Sequence, residues 1–187
     1  MNRAFLIGKK VYLRPFDIDD LEGNYLQWVN DGEILQHLAS NAFPKTKEDL
    51  SNYVNNILSD NSYVFFAVIE KSTETHIGNV KIGPINWIDR RTAYGRMMSK
   101  ESWGKGYGSE VLKLIIQYVF DTLNLNRIID YAVSDNIASI KSNVKAGMEI
   151  EGTIEEYVFK NGEYKSVTIL GLTKEKYINK KQETINR

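Results

Sequence analysis

The chain contains no cysteine. That single absence excludes disulfides, a thiolate metal site and a covalent cysteine intermediate. Histidine is nearly as scarce: His37 and His76 are the two in the sequence. They lack the helical spacing of a metal pair, so each is expected to be a surface or strand residue, and no metal site is expected. There is no excess charge of either sign, with 24 basic against 24 acidic residues. Nothing therefore marks a nucleic-acid-binding or acidic-membrane surface. No apolar run approaches the ~20 residues that cross a bilayer, and the N-terminus carries no apolar signal segment. A cytoplasmic location is expected. Internal repeats and low-complexity linkers are also missing. At 187 residues the chain fits one domain that could bury roughly 70% of its unfolded surface.

The most informative stretch that is present is Trp103-Gly104-Lys105-Gly106-Tyr107-Gly108-Ser109-Glu110. It is a glycine-rich turn between an extended run, Tyr94 to Met98, and an amphipathic helix. In that helix Val111, Leu112, Ile115, Tyr118, Val119 and Leu123 recur at helical spacing. Such a turn leaves backbone N–H groups unpaired at the positive end of the helix dipole, a site for a phosphate or pyrophosphate. Glycine lets the backbone close around the anion without a Cβ in the way. Two nucleotide motifs fit poorly. A Walker loop needs Gly-Lys-Ser/Thr, and Lys105 precedes the second glycine. The dinucleotide fingerprint begins with Gly104 and Gly106 but has Ser109 at its third glycine, and it should follow the first strand of the fold.

A second motif lies between Asp135 and Met148: Asp-Asn-Ile-Ala-Ser-Ile-Lys-Ser-Asn-Val-Lys-Ala-Gly-Met. Asn136 is a good N-cap, Ile137, Ile140 and Val144 are expected to form one apolar face, and Gly147 suits the C-terminal cap. Arg127 to Val133, just before it, reads as a strand. The two motifs in this order resemble the GNAT superfamily of N-acetyltransferases, and within it the ribosomal-protein N-terminal acetyltransferase type. The family's loop has the form Arg/Gln-x-x-Gly-x-Gly/Ala, here with Trp103 in the first place and Gly106 and Gly108 matching. Its next helix carries Asn-x-x-Ser/Ala and a Gly-Phe ending, matched by Asn136, Ser139 and Gly147, with Met148 in place of Phe. The resemblance runs from about Lys10 to Leu172.

Elsewhere the pattern gives a mixed α/β order, β-α-α-β-β-β-α-β-α-β-β. Val11 to Arg14 reads as a strand, Asp17 opens a helical region with Leu21, Tyr25, Trp28 and Val29, and Thr46 caps a second helix with Asp49 three residues on. Tyr63 to Glu70 and His76 to Ile82 read as a hairpin. Asn161-Gly162 joins a second hairpin, Glu155–Lys160 with Tyr164–Leu172. The resemblance implies a GNAT fold: a mixed sheet of about seven strands, helices on both faces, and two parallel strands, about 94–98 and 127–133, that splay apart. Residues 1–173 are expected to form this single domain, and 174–187 a polar C-terminal tail that frays.

The resemblance also implies acetyl-CoA as cosubstrate. Its pantetheine would pair with the backbone of Arg96-Met97-Met98. Trp103, Gly104, Lys105, Gly106, Tyr107, Gly108 and Ser109 would hold the pyrophosphate, with further contacts from Asn136, Ser139 and Asn143. With no cysteine in the chain, the acceptor must attack the thioester directly. Many relatives have a Glu where Ala93 stands, and polyamine-type relatives have a tyrosine acid where Asn143 stands. The remaining catalytic candidates are Glu33 as base and Ser139 as proton donor. Glu33 reads equally well as a first-turn acid, and Asp31 as a helix N-cap. Trp28, Asp31, Glu33, Trp87, Tyr94 and Tyr157 are the candidates for an acceptor pocket, although single aromatics are more often core. Arg90-Arg91 could bind an acceptor phosphate or be plain solvated charge.

The expected activity is acetyl transfer to a primary amine. A nucleotide-linked amino sugar or similar small amine is the first acceptor class, a protein N-terminus the second, and a polyamine the third. A non-catalytic acyl-CoA-binding protein is the alternative from a different class. A monomer or homodimer is expected.

Overall fold

The computed structural model describes residues 3–36, 38 and 43–185; His37 lies outside them. Its frame is one eight-stranded sheet in the order β1-β2-β3-β4-β5-β6-β8-β7. β1 is the two-residue Leu6–Ile7, followed by β2 Val11–Pro15, β3 Val64–Glu70, β4 Thr75–Asn86 and β5 Arg91–Met98. These five form an antiparallel meander. β6, Arg127–Val133, then lies parallel to β5. β7 Glu149–Lys160 and β8 Glu163–Thr173 close the sheet as a hairpin, with β8 inserted beside β6. The expected count of about seven strands omitted β1.

Strand periodicity divides the core in two, because successive side chains point to opposite faces. Val11 and Leu13 of β2, Phe66 and Val68 of β3, and Tyr94 of β5 join one buried cluster. Tyr12, Phe65, Ala67 and Ile69 join the other. The first cluster is covered by α4 Tyr107–Gln117, a π-helical turn at Tyr118–Thr122, α5 Ile137–Ala146 and α6 Lys174–Ile185. The second is covered by a 3-10 turn at Ile18–Glu22, α1 Tyr25–Trp28, α2 Gly32–Leu35 and α3 Lys47–Ser59. Helices thus lie on both faces, as expected.

The local signals act where the sequence places them. Thr46 and Asp49 form a capping box at the start of α3, and Asp17 and Asp20 form another before the 3-10 turn. Asn161 and Gly162 both take positive φ, 50° and 84°, as the tight hairpin turn requires.

Two expectations need correction. The apolar face assigned to α5 is not the buried one: Ile137 and Val144 are 52% and 48% exposed, while Asn143 is fully buried. The helix is rotated so that Asn143 can donate to Asp130 on β6, and Ile140 and Ala146 share the packing. The stretch expected to fray is helix α6. Tyr177 stacks on Phe120 at 5.1 Å, Lys176 and Lys180 pair with Glu149, and Lys181 pairs with Asp121. The charges that looked like a solvated tail are matched to carboxylates on the domain.

Candidate active site

β5 and β6 pair over three rungs only: Arg91 with Arg127, Thr92 with Ile128, and Ala93 with Ile129. Beyond Ala93 the strands part. Tyr94 to Met98 keep β4 on one side, and Asp130 to Val133 keep β8 on the other. The edge of β5 from Tyr94 to Met98 therefore faces a gap, with main-chain N–H and C=O groups available to an extended ligand carrying amides. Arg96, Met97 and Met98 lie on this edge, and all three are half-buried.

The glycine loop stands at the wide end of the gap. Gly104 and Gly106 take φ of 74° and 83°, and Gly106 directly precedes the first turn of α4. A Cβ at either position would meet no protein atom within 4 Å, so both face open space. Positive φ and that space together suit a loop that wraps an anion. Gly108 is crowded by a side chain instead. A Cβ there would stand 2.9 Å from the Arg96 guanidinium, which donates to the Gly108 carbonyl and, at 3.3 Å, to Ser142 on α5. Ser109 and Ser142 are themselves 3.2 Å apart. Trp103 is anchored by its indole N–H to the Met98 carbonyl at 3.1 Å, and the Tyr107 hydroxyl donates to Glu70. Lys10 Nζ donates to the Lys105 carbonyl at 3.1 Å, while the Lys105 side chain is exposed.

At the narrow end three polar groups are buried together. Asn143 donates to Asp130 Oδ2, and the Tyr131 amide donates to Oδ1 at 2.9 Å. Burial pushes the Asp130 carboxyl above the usual carboxylate range, against the pull of Asn143 and Arg96. The Tyr94 hydroxyl and Asn143 Oδ1 have no hydrogen-bond partner among the described residues. Buried polar groups are rarely left so in a completed site. Orphaned donors and acceptors beside a gap, and glycines facing open space, fit a bound pantetheine-type cofactor. Sequence reasoning missed Asp130 and Ser142, and gave Arg96 a backbone role only. The available signal was a carboxylate at an inward position of an otherwise apolar strand, Ile128-Ile129-Asp130-Tyr131-Ala132-Val133.

Asn136 caps α5, accepting from the Ser139 amide at 3.0 Å, and Ser139 is half-buried in the first turn. Asn143 reaches inward to Asp130 rather than toward the solvent side of the gap. On the opposite face of the sheet, Asp31 caps α2, accepting from the amides of Glu33 and Ile34. Asp31 and Glu33 both bind the Lys100 ammonium just past β5, Asp31 at 2.8 Å. Those bonds hold the Asp31 carboxyl below its usual range and raise Lys100. A cavity of about 210 Å³ lies beside the glycine loop, lined by Trp28, Glu70, His76, Glu101, Ser102 and Tyr107 among others. His76 is a strand residue in β4, its Nε2 facing Asn79 Oδ1 at 2.8 Å and the Gly78 carbonyl at 3.0 Å.

The four candidate aromatics do not share one pocket. Trp28 is buried in the α1–α3 layer, 5.2 Å from the His76 ring, and Tyr94 is buried in the opposite layer. Trp87 is exposed at the β4–β5 turn, away from the glycine loop, and Tyr157 is exposed on an irregular stretch of β7. The β7–β8 hairpin approaches α2 through Lys160 Nζ, which donates to the Leu35 carbonyl at 3.3 Å. The Arg90-Arg91 pair is engaged locally: Arg90 with Asn124 and Arg91 with Asp89. Among the described residues there is no group of three or more His, Asp or Glu that could hold a metal ion, and no helix long and apolar enough to cross a membrane.

Comparison with known proteins agrees with this geometry. A family model described as an acetyltransferase (GNAT) domain matches residues 10–149. An uncharacterized N-acetyltransferase, p20 of Bacillus licheniformis, is 26% identical over 174 residues, covering 92% of this chain and 97% of that protein. The spermidine N(1)-acetyltransferase of Escherichia coli K12 is 27% identical over 168 residues, covering 90% and 88%. The crystal structure of a spermidine N-acetyltransferase from Vibrio cholerae, in complex with CoA and spermine, superposes with a TM-score of 0.84 at 24% identity. It covers 90% of this chain and 98% of that one, and shows the same fold.

Proposed function

Since the chain belongs to the GNAT acetyltransferase family and is an acetyl-CoA-dependent N-acetyltransferase, we propose that its acceptor is a small cationic primary amine of the polyamine type. The observation that carries this reading is the carboxylate pair Asp31 and Glu33, which already holds a primary ammonium, that of Lys100. An alkylammonium acceptor presents the same group and can exchange with Lys100 at the rim. The spermidine acetyltransferases among the relatives support the same class. A nucleotide-linked amino sugar, first in order from the sequence, gains no comparable support, because Arg90 and Arg91 stand at the start of β5, at the opposite end of that strand from the glycine loop.

Acetyl-CoA supplies an activated carbonyl; the residues of this chain bind and orient it. The open edge at Met97 and Met98 offers main-chain partners to the pantetheine amides. Gly104, Gly106 and the first amides of α4, at Tyr107, Gly108 and Ser109, offer N–H groups and the helix dipole to the pyrophosphate. Trp103 and Lys105 would flank it, and Asn136 and Ser139 would line the α5 side. Holding both reactants in one geometry can supply much of the rate enhancement. An alkylamine with an ordinary pKa near 10.4 must also shed a proton before it attacks. Glu33 and Asp31, beside Lys100 past the end of β5, would hold the acceptor's cationic end, and the attacking nitrogen would lose its proton to solvent.

The test is CoA release with a panel of amines: spermidine, peptides with free N-termini and a nucleotide-linked amino sugar. Turnover with spermidine or a related polyamine is expected. Turnover confined to peptide N-termini would return the ribosomal-protein reading, and confinement to the amino sugar would refute the polyamine class. Binding of acetyl-CoA with no turnover on any amine would leave a non-catalytic binder.

A further inference from the structure

We propose that the Tyr94 hydroxyl is the hydrogen-bond donor to the CoA sulfur and protonates it as it departs. The inference rests on the acetyl-transfer reading of the β5/β6 gap. The last paired rung of the two strands is Ala93 with Ile129. Tyr94 and Asp130 occupy the next positions, so they face each other where the strands first separate. Both lie on the helix side, Tyr94 in the cluster under α4 and Asp130 bonded to Asn143 of α5.

From Met98 back to Tyr94 the open edge is about 13 Å long at the rise of an extended strand. A cofactor with its pyrophosphate on the glycine loop and its arm along that edge brings its sulfur end to the narrow part of the gap. Tyr94, the residue of β5 at that point, is 5% exposed, and its hydroxyl has no partner among the described residues. Asp130 does not take its hydrogen: the two carboxyl oxygens receive Asn143 and the Tyr131 amide. Arg96, two residues along β5, places its guanidinium carbon 5.9 Å from the Tyr94 ring centre, where it stabilises a transient phenolate. Burial raises the Tyr94 pKa, more than Arg96 lowers it, so the phenol carries its proton at neutral pH. Asn143 leaves no helix tyrosine at its own position, and Tyr94 supplies a phenol from the strand.

In the step, the acceptor nitrogen bonds to the acetyl carbon and the carbon–sulfur bond breaks with its electron pair going to sulfur. The Tyr94 proton moves to that sulfur and gives the thiol. The phenolate is reprotonated through solvent by the proton released from the acceptor nitrogen, so the enzyme returns to its starting state.

Tyr94→Phe removes only the hydroxyl, and because that group has no partner the variant should melt at the same temperature or higher. Wild type and variant would be titrated with CoA by calorimetry, and the bound thiolate followed by its ultraviolet absorbance against pH. The expected result is unchanged CoA affinity, a bound thiol whose pKa is about one unit higher in the variant (a tenfold loss of thiolate stabilisation), and kcat lower by about 10²–10⁴. Identical thiol titrations in the two proteins would overturn the proposal. A thiol shift in a wild type that binds CoA but acetylates no amine would uphold Tyr94 and sink the acetyl-transfer reading instead. Absence of CoA binding to the wild type would overturn both.

Discussion

The Arg96 guanidinium occupies the space that a side chain at position 108 would need, and its Nη1 donates to the Gly108 carbonyl. The first turn of α4 is thereby tied to β5 and, through Ser142, to α5. Gly108→Ala should push Arg96 aside and lose this bond, at about 1.5–3 kcal/mol for a charged donor. Arg96→Met should lose the same bond, so the two changes combined should cost little more than either. A double-mutant cycle by denaturant unfolding reads this directly, and additive losses would refute the coupling.

Gly106 takes the left-handed conformation at the start of α4 with nothing of the protein beside it. Gly106→Ala should cost about 1–2 kcal/mol of stability from backbone strain. Gly106→Val should also weaken acetyl-CoA binding severely, because its side chain enters the space held for the pyrophosphate. Affinity in Gly106→Val equal to wild type, measured by calorimetry, would remove the loop from the cofactor site.

Glu33 stands at the rim and shares Lys100 with Asp31. Glu33→Gln should raise KM for a polyamine about two- to fivefold, as loss of an exposed ion pair allows, and leave kcat nearly unchanged. Ser139→Ala run in parallel should leave kcat within a few-fold if Tyr94 is the proton donor. A collapse of kcat at constant KM in Glu33→Gln would make Glu33 the base; the same collapse in Ser139→Ala would make Ser139 the acid.

Burial lowers the pKa of His76 more than its bond to Asn79 and the Asp20 charge raise it. The unfolded imidazole, near 6.5, then binds a proton that the folded one refuses. The associated stability is complete above pH ~6.5 and declines as the pH falls below that toward the lower folded value. His76→Gln should flatten this part of the stability–pH curve. The Arg14–Asp20 pair, 2.7 Å apart, acts in a different window. Burial raises Asp20, but the Arg14 bond and neighbours lower it further, so its contribution is lost only below about pH 4.

Lys176 and Lys180 hold the Glu149 carboxyl well below its ordinary range, to about 2. Its contribution to docking α6 is present above pH ~4.5 and is lost as the pH falls through that lower value. Glu149→Gln should speed amide exchange in α6 at low ionic strength, and added salt should erase the difference because these charges face water. Exchange in α6 that ignores both the substitution and the salt would show that the Tyr177–Phe120 stack alone holds the helix.

The sequence by itself determined the features that depend on neighbours along the chain. The capping boxes at Asp17 and Thr46, the left-handed glycines at 106 and 147 and the Asn161-Gly162 turn each follow from local backbone chemistry. The order of the glycine loop and the Asn136 helix was enough to point to the family. Tertiary structure decided what depends on partners far away in the chain. Asn143 is buried because Asp130 is there, the tail is a helix because Glu149 and Asp121 receive its lysines, and Trp28 and Tyr94 are separated by the sheet. The Tyr94–Asp130 juxtaposition arises where two strands 36 residues apart in register cease to pair. No local pattern encodes that point, because it depends on the register of two strands far apart in the chain.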